Sequence, residues 1–580
     1  MAEVEKPQFV LLAAVLVFAA AMALYASVMP REFLWDDTAL VGRNTFVQRC
    51  SNLGRAVNPA NLLFVLPVQM SARPVVNATL IADSCSGRGP AGMYLTNALI
   101  HAFNAVLVLL LIFTLSGSAL PALFGALIFA LHPAAVEPVK IIVFRSHLLG
   151  FFFFNAGLLA AIFHAKERKP ALAAAAAACY LLAMLSIESA VVLPAAALAA
   201  AYFVKGREGV KKAGPLMAVL AAAAIFYFWF RTPRSGYSIA GISSPGIITP
   251  SLFYPRALFP EAATRASSGL TILPWRQVYE NPLTNLYTMA GVLLDYFKAL
   301  LLPVGLSLDY SPAPITRFSD GILPVAASLA AAAAAILLFL RRRLEGLGLV
   351  LLLTALLPAM NIWPIYNIKA DRYLYLPLAG FSIAAAAAVR RLPSSAGAAR
   401  LLAAAAVLWL GGLAFLSTVW SRNFDTNFSL FSAVVKRQPA VSRARANLSS
   451  AYLEAGNCAA ALEQEEEAVR LDNNPQQRLR LAFTLVLCRK PEAALKETET
   501  VLKALPRETD ALYLAGLLLY RTDRRAARVT LEKALLEDPS HRDARLTLIL
   551  FGDKKAEDLA PRDKRNVERL RTFYRDCGLL

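Results

Sequence analysis

Phe33-Leu-Trp-Asp-Asp-Thr38 sets two adjacent carboxylates, Asp36 and Asp37, directly after the first long apolar segment, Phe9 to Met29. A carboxylate where a chain leaves a bilayer is costly unless it faces a polar cavity, so the pair is a candidate functional site. The competing reading is a solvated juxtamembrane loop. Arg73-Pro follows. Asn97, His101 and Asn104 then lie four and three residues apart, which puts them on one helix face, pointing into a bundle or cavity. Interhelical hydrogen bonding is the plainer role, above all for Asn104.

His132-Pro-Ala-Ala-Val-Glu-Pro-Val-Lys140 and Phe144-Arg-Ser-His147 form a short external segment carrying His132, Glu137, Lys140, Arg145 and His147. His132 and Glu137, five apart, are able to ligate a metal, but that spacing is not a known metal pattern and no CxxC occurs; dependence on a divalent metal stays open. Ile187-Glu-Ser189 places Glu188 at a tight turn. Asp371-Arg-Tyr-Leu-Tyr-Leu-Pro377 opens a later apolar segment, with Arg372 suited to a lipid phosphate or to an ion pair with an acid such as Asp371.

The elements that must position these residues are membrane helices. The chain has 580 residues, 57% hydrophobic and 17% charged, with a mean hydropathy of +0.51. Apolar segments fall near 9–29, 94–115, 119–131, 148–164, 170–186, 188–204, 214–230, 286–302, 321–340, 346–360, 371–390 and 399–420, which predicts about 11 to 13 spans. The first run is long for a signal core and reads as a retained helix. Basic turns at 165–169, 205–212, 341–343 and 390–400 place that side in the cytoplasm. The loop 30–93, the loop 231–285 and everything beyond about residue 421 are then external. An odd number of segments between two cytoplasmic turns requires that one, 286–302 for preference, be re-entrant or interfacial, or that 231–285 hide a crossing.

The formal charge is +19, and topology-setting Lys and Arg account for part of it. The two external loops are also basic: Arg31, Arg43, Arg49, Arg55, Arg73 and Arg88 in the first, Arg231, Arg234, Arg256, Arg265 and Arg276 in the second. Such a surface suits an anionic ligand, a phosphate at the membrane face, or lipid headgroups. Cys50 with Cys85, and Cys458 with Cys488, are able to pair if those regions face an oxidising compartment.

After 421 the chain becomes polar and repetitive. Ser449, Ala482 and Ala515 are 33 apart, as are Ala461, Ala494 and Ala527, and Leu448, Leu481 and Leu514 sit one residue before the first set. This resembles three tetratricopeptide-like repeats over about 441–551. The segment 421–440 reads as a connecting helix and 552–580 as a charged tail. Balanced charge in the repeats argues against nucleic acid and for a groove that captures a protein or peptide, with a rigid scaffold or dimerisation element as the plainer role. The fold class expected is all-α: a polytopic transmembrane bundle over 1–420, then a soluble α-solenoid.

Trp35-Asp-Asp, Arg73-Pro, Asn97 with His101 and Asn104, His132-Pro with Glu137 and Arg145, Ile187-Glu-Ser, Asp309-Tyr310 and Asp371-Arg-Tyr-Leu-Tyr-Leu-Pro, in that order, resemble the GT-C class of polytopic glycosyltransferases. The match is best to transmembrane O-mannosyltransferases with tetratricopeptide repeats and their bacterial relatives, over nearly the whole chain. Ile187 stands where the family has Lys, Asp371 where it has Glu, and His147 where it has an acid. The resemblance implies a polyprenyl-phosphate sugar as donor and a hydroxyl acceptor, such as Ser or Thr of an exported protein. It implies Asp36 or Asp37 as the base, Arg372, Arg145 and Arg73 at the donor phosphate, and His101, Asn97, His132, Glu137, His147, Glu188 and Asp371 in support. Transfer of a whole lipid-linked glycan, or to a lipid or glycan acceptor, would use the same residues. A membrane-anchored scaffold without activity is the reading from another class. A transporter would need paired charges near the midplane.

Overall fold

A computed structural model describes residues 7–27, 29–42, 44, 46–57, 73–231, 281–362, 365, 367–389, 395–539, 541–552 and 561–579. Arg43, Arg234, Arg256, Arg265, Arg276, Arg390 and Arg391 lie outside these residues, and so does most of the basic loop 231–285. The described residues are helices joined by turns and divide between two compact units, one ending at Ala433 and one beginning at Val434.

In the first unit six helices are long and apolar enough to cross a membrane: Pro7–Ala26, Pro90–Ser116, Ile142–Glu167, Glu188–Lys205, Phe318–Leu340 and Gly397–Phe424. A seventh is added if Ala119–Leu131 and Pro133–Lys140, bent by 51°, form one span. The protein is a multi-pass membrane protein by this measure. The number is below the expected 11 to 13 because four further apolar helices, Pro170–Met184, Gly214–Trp229, Leu344–Ala359 and Pro377–Val389, are shorter than 18 residues. At about 1.5 Å per residue these fall short of a hydrocarbon core of about 30 Å.

Local rules set many of the boundaries. Proline occupies the first turn of Pro74–Cys85, Pro90–Ser116, Pro170–Met184 and Pro282–Leu301, where its missing N–H costs nothing. The break at His132 has the same origin: Pro133 starts a new turn, and His132 caps it by accepting from the Ala134 N–H at 3.1 Å. Leu344–Leu356 and Pro377–Val389 touch backbone to backbone. A Cβ on Gly348 would fall 2.5 Å from the Ala384 nitrogen, and one on Gly380 would fall 2.5 Å from that of Leu352.

The basic turns meet at one end of the unit. The Arg168 guanidinium donates to the Lys212 carbonyl, that of Arg342 to Phe203 and Val204, and the Lys166 ammonium to Thr114. Pro282–Leu301 is not among the spanning helices. Asn285 bonds Asn361, Tyr296 bonds Ala370, and the Leu300 carbonyl accepts from His132. Two of its hydrogen bonds, those of Tyr296 and Leu300, thus reach the residues just before Arg372 and Glu137.

The second unit is a series of helix pairs, Ser442–Glu454 with Cys458–Leu471, Pro475–Leu487 with Pro491–Ala504, and Thr509–Leu519 with Arg524–Glu537. The 33-spaced positions are the packing positions. Ala461, Ala494 and Ala527 are fully buried, as are Ser449 and Ala482, and Ala515 is nearly so. Small residues there let each helix settle on the next. Arg542–Leu550 and Pro561–Asp576 follow, and Tyr574, Cys577 and Leu579 join the core. Much of the expected charged tail is thus a closing helix. Both cysteine pairs form, Cys50 with Cys85 and Cys458 with Cys488.

Candidate functional site

The two acids of the opening motif have different surroundings. Asp37 is fully buried. Its Oδ2 accepts from the Ile142 N–H at 2.8 Å and the Tyr94 hydroxyl at 3.1 Å, and its Oδ1 accepts from the Val143 N–H at 2.8 Å. It therefore caps, from a distance in sequence, the turn that delivers Phe144 and Arg145. Burial pushes its carboxyl up to about 7; the donors from Ile142, Val143 and Tyr94 oppose that and the charge of Asp36 adds to it. Asp36, one residue earlier, is half-buried.

Trp35 precedes the pair. Its backbone is left-handed, φ +48°, a conformation that costs a bulky residue of the order of 1–3 kcal/mol unless the surroundings hold it. Asn427 is the holder. Its Oδ1 accepts from the Trp35 N–H at 2.7 Å, its Nδ2 donates to the Phe33 carbonyl and to Glu32 Oε1, both at 3.1 Å, and its own N–H donates to Glu32 Oε1 at 2.7 Å.

From Trp35 a line of contacts leads to the cations. The Trp35 ring meets Phe144 edge-on at 6.0 Å, and the Arg372 guanidinium lies over Phe144 at 4.7 Å. Arg372 is nearly buried and ion-paired, Nη1 to Glu137 Oε1 at 2.7 Å, while its backbone N–H donates to Glu137 Oε2 at 2.9 Å. Among the described residues its hydrogen bonds are made by the backbone N–H and Nη1. The expected alternative partner, Asp371, is used elsewhere: it accepts from the Ser307 N–H and the Tyr310 hydroxyl, both at 2.8 Å. Asp309 lies one residue away, within reach of the fields of Glu137 and Arg372.

A second cation stands nearby. Arg73 donates to Glu188 at 3.1 Å and to Ser146 at 3.4 Å, and its side chain is 31% exposed. Arg372, Arg73 and Glu188 all act electrostatically on His147, which has no hydrogen-bond partner among the described residues. Of the expected residues, Asp36, Arg73, Glu188 and His147 are half-buried and Arg372 is nearly buried.

Others are committed to the fold. Arg145 is fully buried. It pairs with Asp83 at 2.7 Å and donates to Asn97 Oδ1 at 2.7 Å and to the Met93 carbonyl at 3.0 Å. Asn97 in turn donates to the Ile141 carbonyl. His101 and Asn104 both bond the Tyr375 hydroxyl, at 2.8 and 3.1 Å, the plain interhelical role. His132 bonds the Leu300 carbonyl at 3.1 Å. Lys140, buried, donates to the Tyr25 carbonyl at the end of the first helix. Spacing gave no sign of Asp83, Asn427 or Glu32. Asp83 carried a weak signal, as the lone acid of the helix Pro74–Cys85.

Among the described residues no group of three or more His, Cys, Asp or Glu is placed to hold a metal ion. No family model matches the chain, and no curated protein matches it significantly.

Proposed function

We propose that this chain is a GT-C-type membrane glycosyltransferase that moves a sugar from a polyprenyl-phosphate donor to a hydroxyl acceptor, Ser or Thr of an exported protein, at the external membrane face. The observation that carries this reading is the line of contacts from Trp35, the residue before the half-buried Asp36, through the Phe144 ring to the Arg372 guanidinium.

In such a transfer Asp36 takes the proton of the acceptor hydroxyl as that oxygen attacks the anomeric carbon. The bond from that carbon to the phosphate oxygen breaks, and the electron pair leaves on the lipid phosphate. Arg372 and Arg73 offset the charge gathering there, as fixed cations do in a water-poor site. A positioned base contributes about 10² to 10⁴ in rate. Asp37 serves as a structural neighbour rather than the base, because its oxygens already accept three hydrogen bonds.

The path of the chain supports the topology this needs. Counting the four short apolar helices and the bent pair as crossings, and leaving Pro282–Leu301 at the external surface, gives 11. That odd number starts the chain in the cytoplasm and ends it outside. Two disulfides, Cys50–Cys85 between the first two long apolar helices and Cys458–Cys488 after the last, support an oxidising exterior such as a periplasm. The helix pairs of the second unit then act as tetratricopeptide-like repeats that recruit the acceptor.

One observation favours a non-enzymatic scaffold: Asp37, His101 and Asn97 are taken up by structural hydrogen bonds, and Arg145 is buried and paired with Asp83, with only its Nη1 left over. Donor consumption decides between the two. Purified protein supplied with defined polyprenyl-phosphate sugars consumes one of them if it is a transferase and none if it is a scaffold. Loss of whole lipid-linked glycan instead would move the reading to glycan transfer.

A further inference from the structure

Thr114 lies twenty residues along the helix Pro90–Ser116 from Tyr94, the residue that bonds Asp37. That is about 30 Å, one hydrocarbon thickness. Beside Thr114 is a cavity of about 360 Å³ lined by Thr114, Leu115, Lys166, Phe203, Val204 and Arg342. It plays no part in the chemistry proposed above.

Its cations are held in place by helix ends. Lys166 Nζ donates to the Thr114 carbonyl at 3.1 Å, at the end of Pro90–Ser116. Arg342 Nε and Nη2 donate to the Phe203 carbonyl at 2.9 and 2.7 Å, and Nη2 to Val204 at 2.8 Å, at the end of Leu193–Lys205. Those carbonyls carry the negative ends of two helix dipoles, and the two side chains offset them. Donors remain after that. An ammonium has three N–H groups and a guanidinium five, and Arg342 Nη1 has no partner among the described residues. Lys205 is close enough for its charge to act on Lys166, and the one acid acting there, Glu167, pairs with Lys169 at 2.7 Å. The pocket therefore has an excess of positive charge, apolar walls from Leu115 and Phe203, and a position at the membrane boundary among long apolar helices.

We propose that this pocket binds the phosphate of an anionic phospholipid headgroup from the adjoining leaflet. A soluble anion would meet the same cations but gain nothing from the apolar walls; a lipid uses both. Basic pockets between membrane helices on the cytoplasmic side are suited to such headgroups.

The test uses the full-length protein in detergent, titrated with phosphatidylglycerol, phosphatidylcholine or inorganic phosphate, with bound copies counted by native mass spectrometry. Wild type retains phosphatidylglycerol in preference to phosphatidylcholine. The Lys166→Gln plus Arg342→Gln variant binds it about 30-fold more weakly, from a roughly fivefold contribution per basic residue. Lys166→Gln alone, which leaves the Arg342 cap intact, shows part of that loss, so the result stands even if the double variant folds poorly. Lys211→Gln, on the same basic end but outside the cavity lining, binds as wild type. Equal retention by wild type and Lys166→Gln overturns the proposal, and so does displacement of the lipid by millimolar inorganic phosphate.

Discussion

The Trp35 N–H donates to Asn427 Oδ1 at 2.7 Å across 392 positions of sequence. Through this bond the segment that follows the last long apolar helix holds the left-handed turn that precedes Asp36. Asn427→Ala removes it together with the side-chain bonds to Glu32 and Phe33, leaving the backbone bond to Glu32. The turn is then free to relax, and stability falls by about 1–3 kcal/mol. Transfer falls further than stability does. Asn427→Asp does not rescue it, because a carboxylate would face Glu32. Thermal unfolding in detergent and donor turnover, measured on the same preparations, check this.

Arg372 and Glu137 form a nearly buried pair at 2.7 Å. Removing one partner leaves an uncompensated charge, so Arg372→Ala destabilises by about 3–5 kcal/mol. Arg372→Met with Glu137→Leu recovers most of that stability and none of the transfer. If the double variant transferred sugar at the wild-type rate, Arg372 would be structural only.

The Asp37 carboxyl, raised to about 7 by burial, gives stability a definite pH dependence. The unfolded carboxyl titrates near 4, so between about pH 4 and 7 the folded state holds a proton the unfolded state has lost. Stability is therefore highest at low pH and falls as pH rises toward 7, then levels. Asp37→Asn removes this slope. Unfolding temperatures from pH 4.5 to 8, wild type against Asp37→Asn, measure it; identical slopes contradict it.

Helical spacing was the legible part. Asn97, His101 and Asn104 share a face as their spacing requires, and the 33-residue register of Ala461, Ala494 and Ala527 marks the packing positions of the second unit. Periodicity reports which face of a helix is buried, and these residues obey it. It does not report which distant group meets that face. Asp83 beneath Arg145, Asn427 on Trp35 and the backbone donors on Asp37 are long-range pairings that no local pattern encodes. The difference between Asp36 and Asp37 could not be read for the same reason: adjacent acids look alike until a third element, the turn Ile142–Phe144, takes up one of them. Composition alone does not separate the six long apolar helices from the four shorter than 18 residues, because it marks buried helices and bilayer-crossing helices alike.

Cys50–Cys85 and Cys458–Cys488 leave Cys179 and Cys577 as free thiols. In membranes prepared without reductant and then denatured, a maleimide adds to two cysteines; after reduction it adds to all six. Cys458→Ser with Cys488→Ser costs the second unit about 2–4 kcal/mol. Labelling of Cys458 and Cys488 without reduction would contradict an external position for that unit.

Asp36 is the residue on which the account rests, and turnover of a defined polyprenyl-phosphate sugar by Asp36→Asn is its most direct measurement. Wild type consumes one donor and releases polyprenyl phosphate. Asp36→Asn unfolds at the same temperature as wild type and turns over at least about 10²-fold more slowly. Turnover by Asp36→Asn equal to wild type, on a donor that wild type consumes, would contradict the assignment of Asp36 as the base.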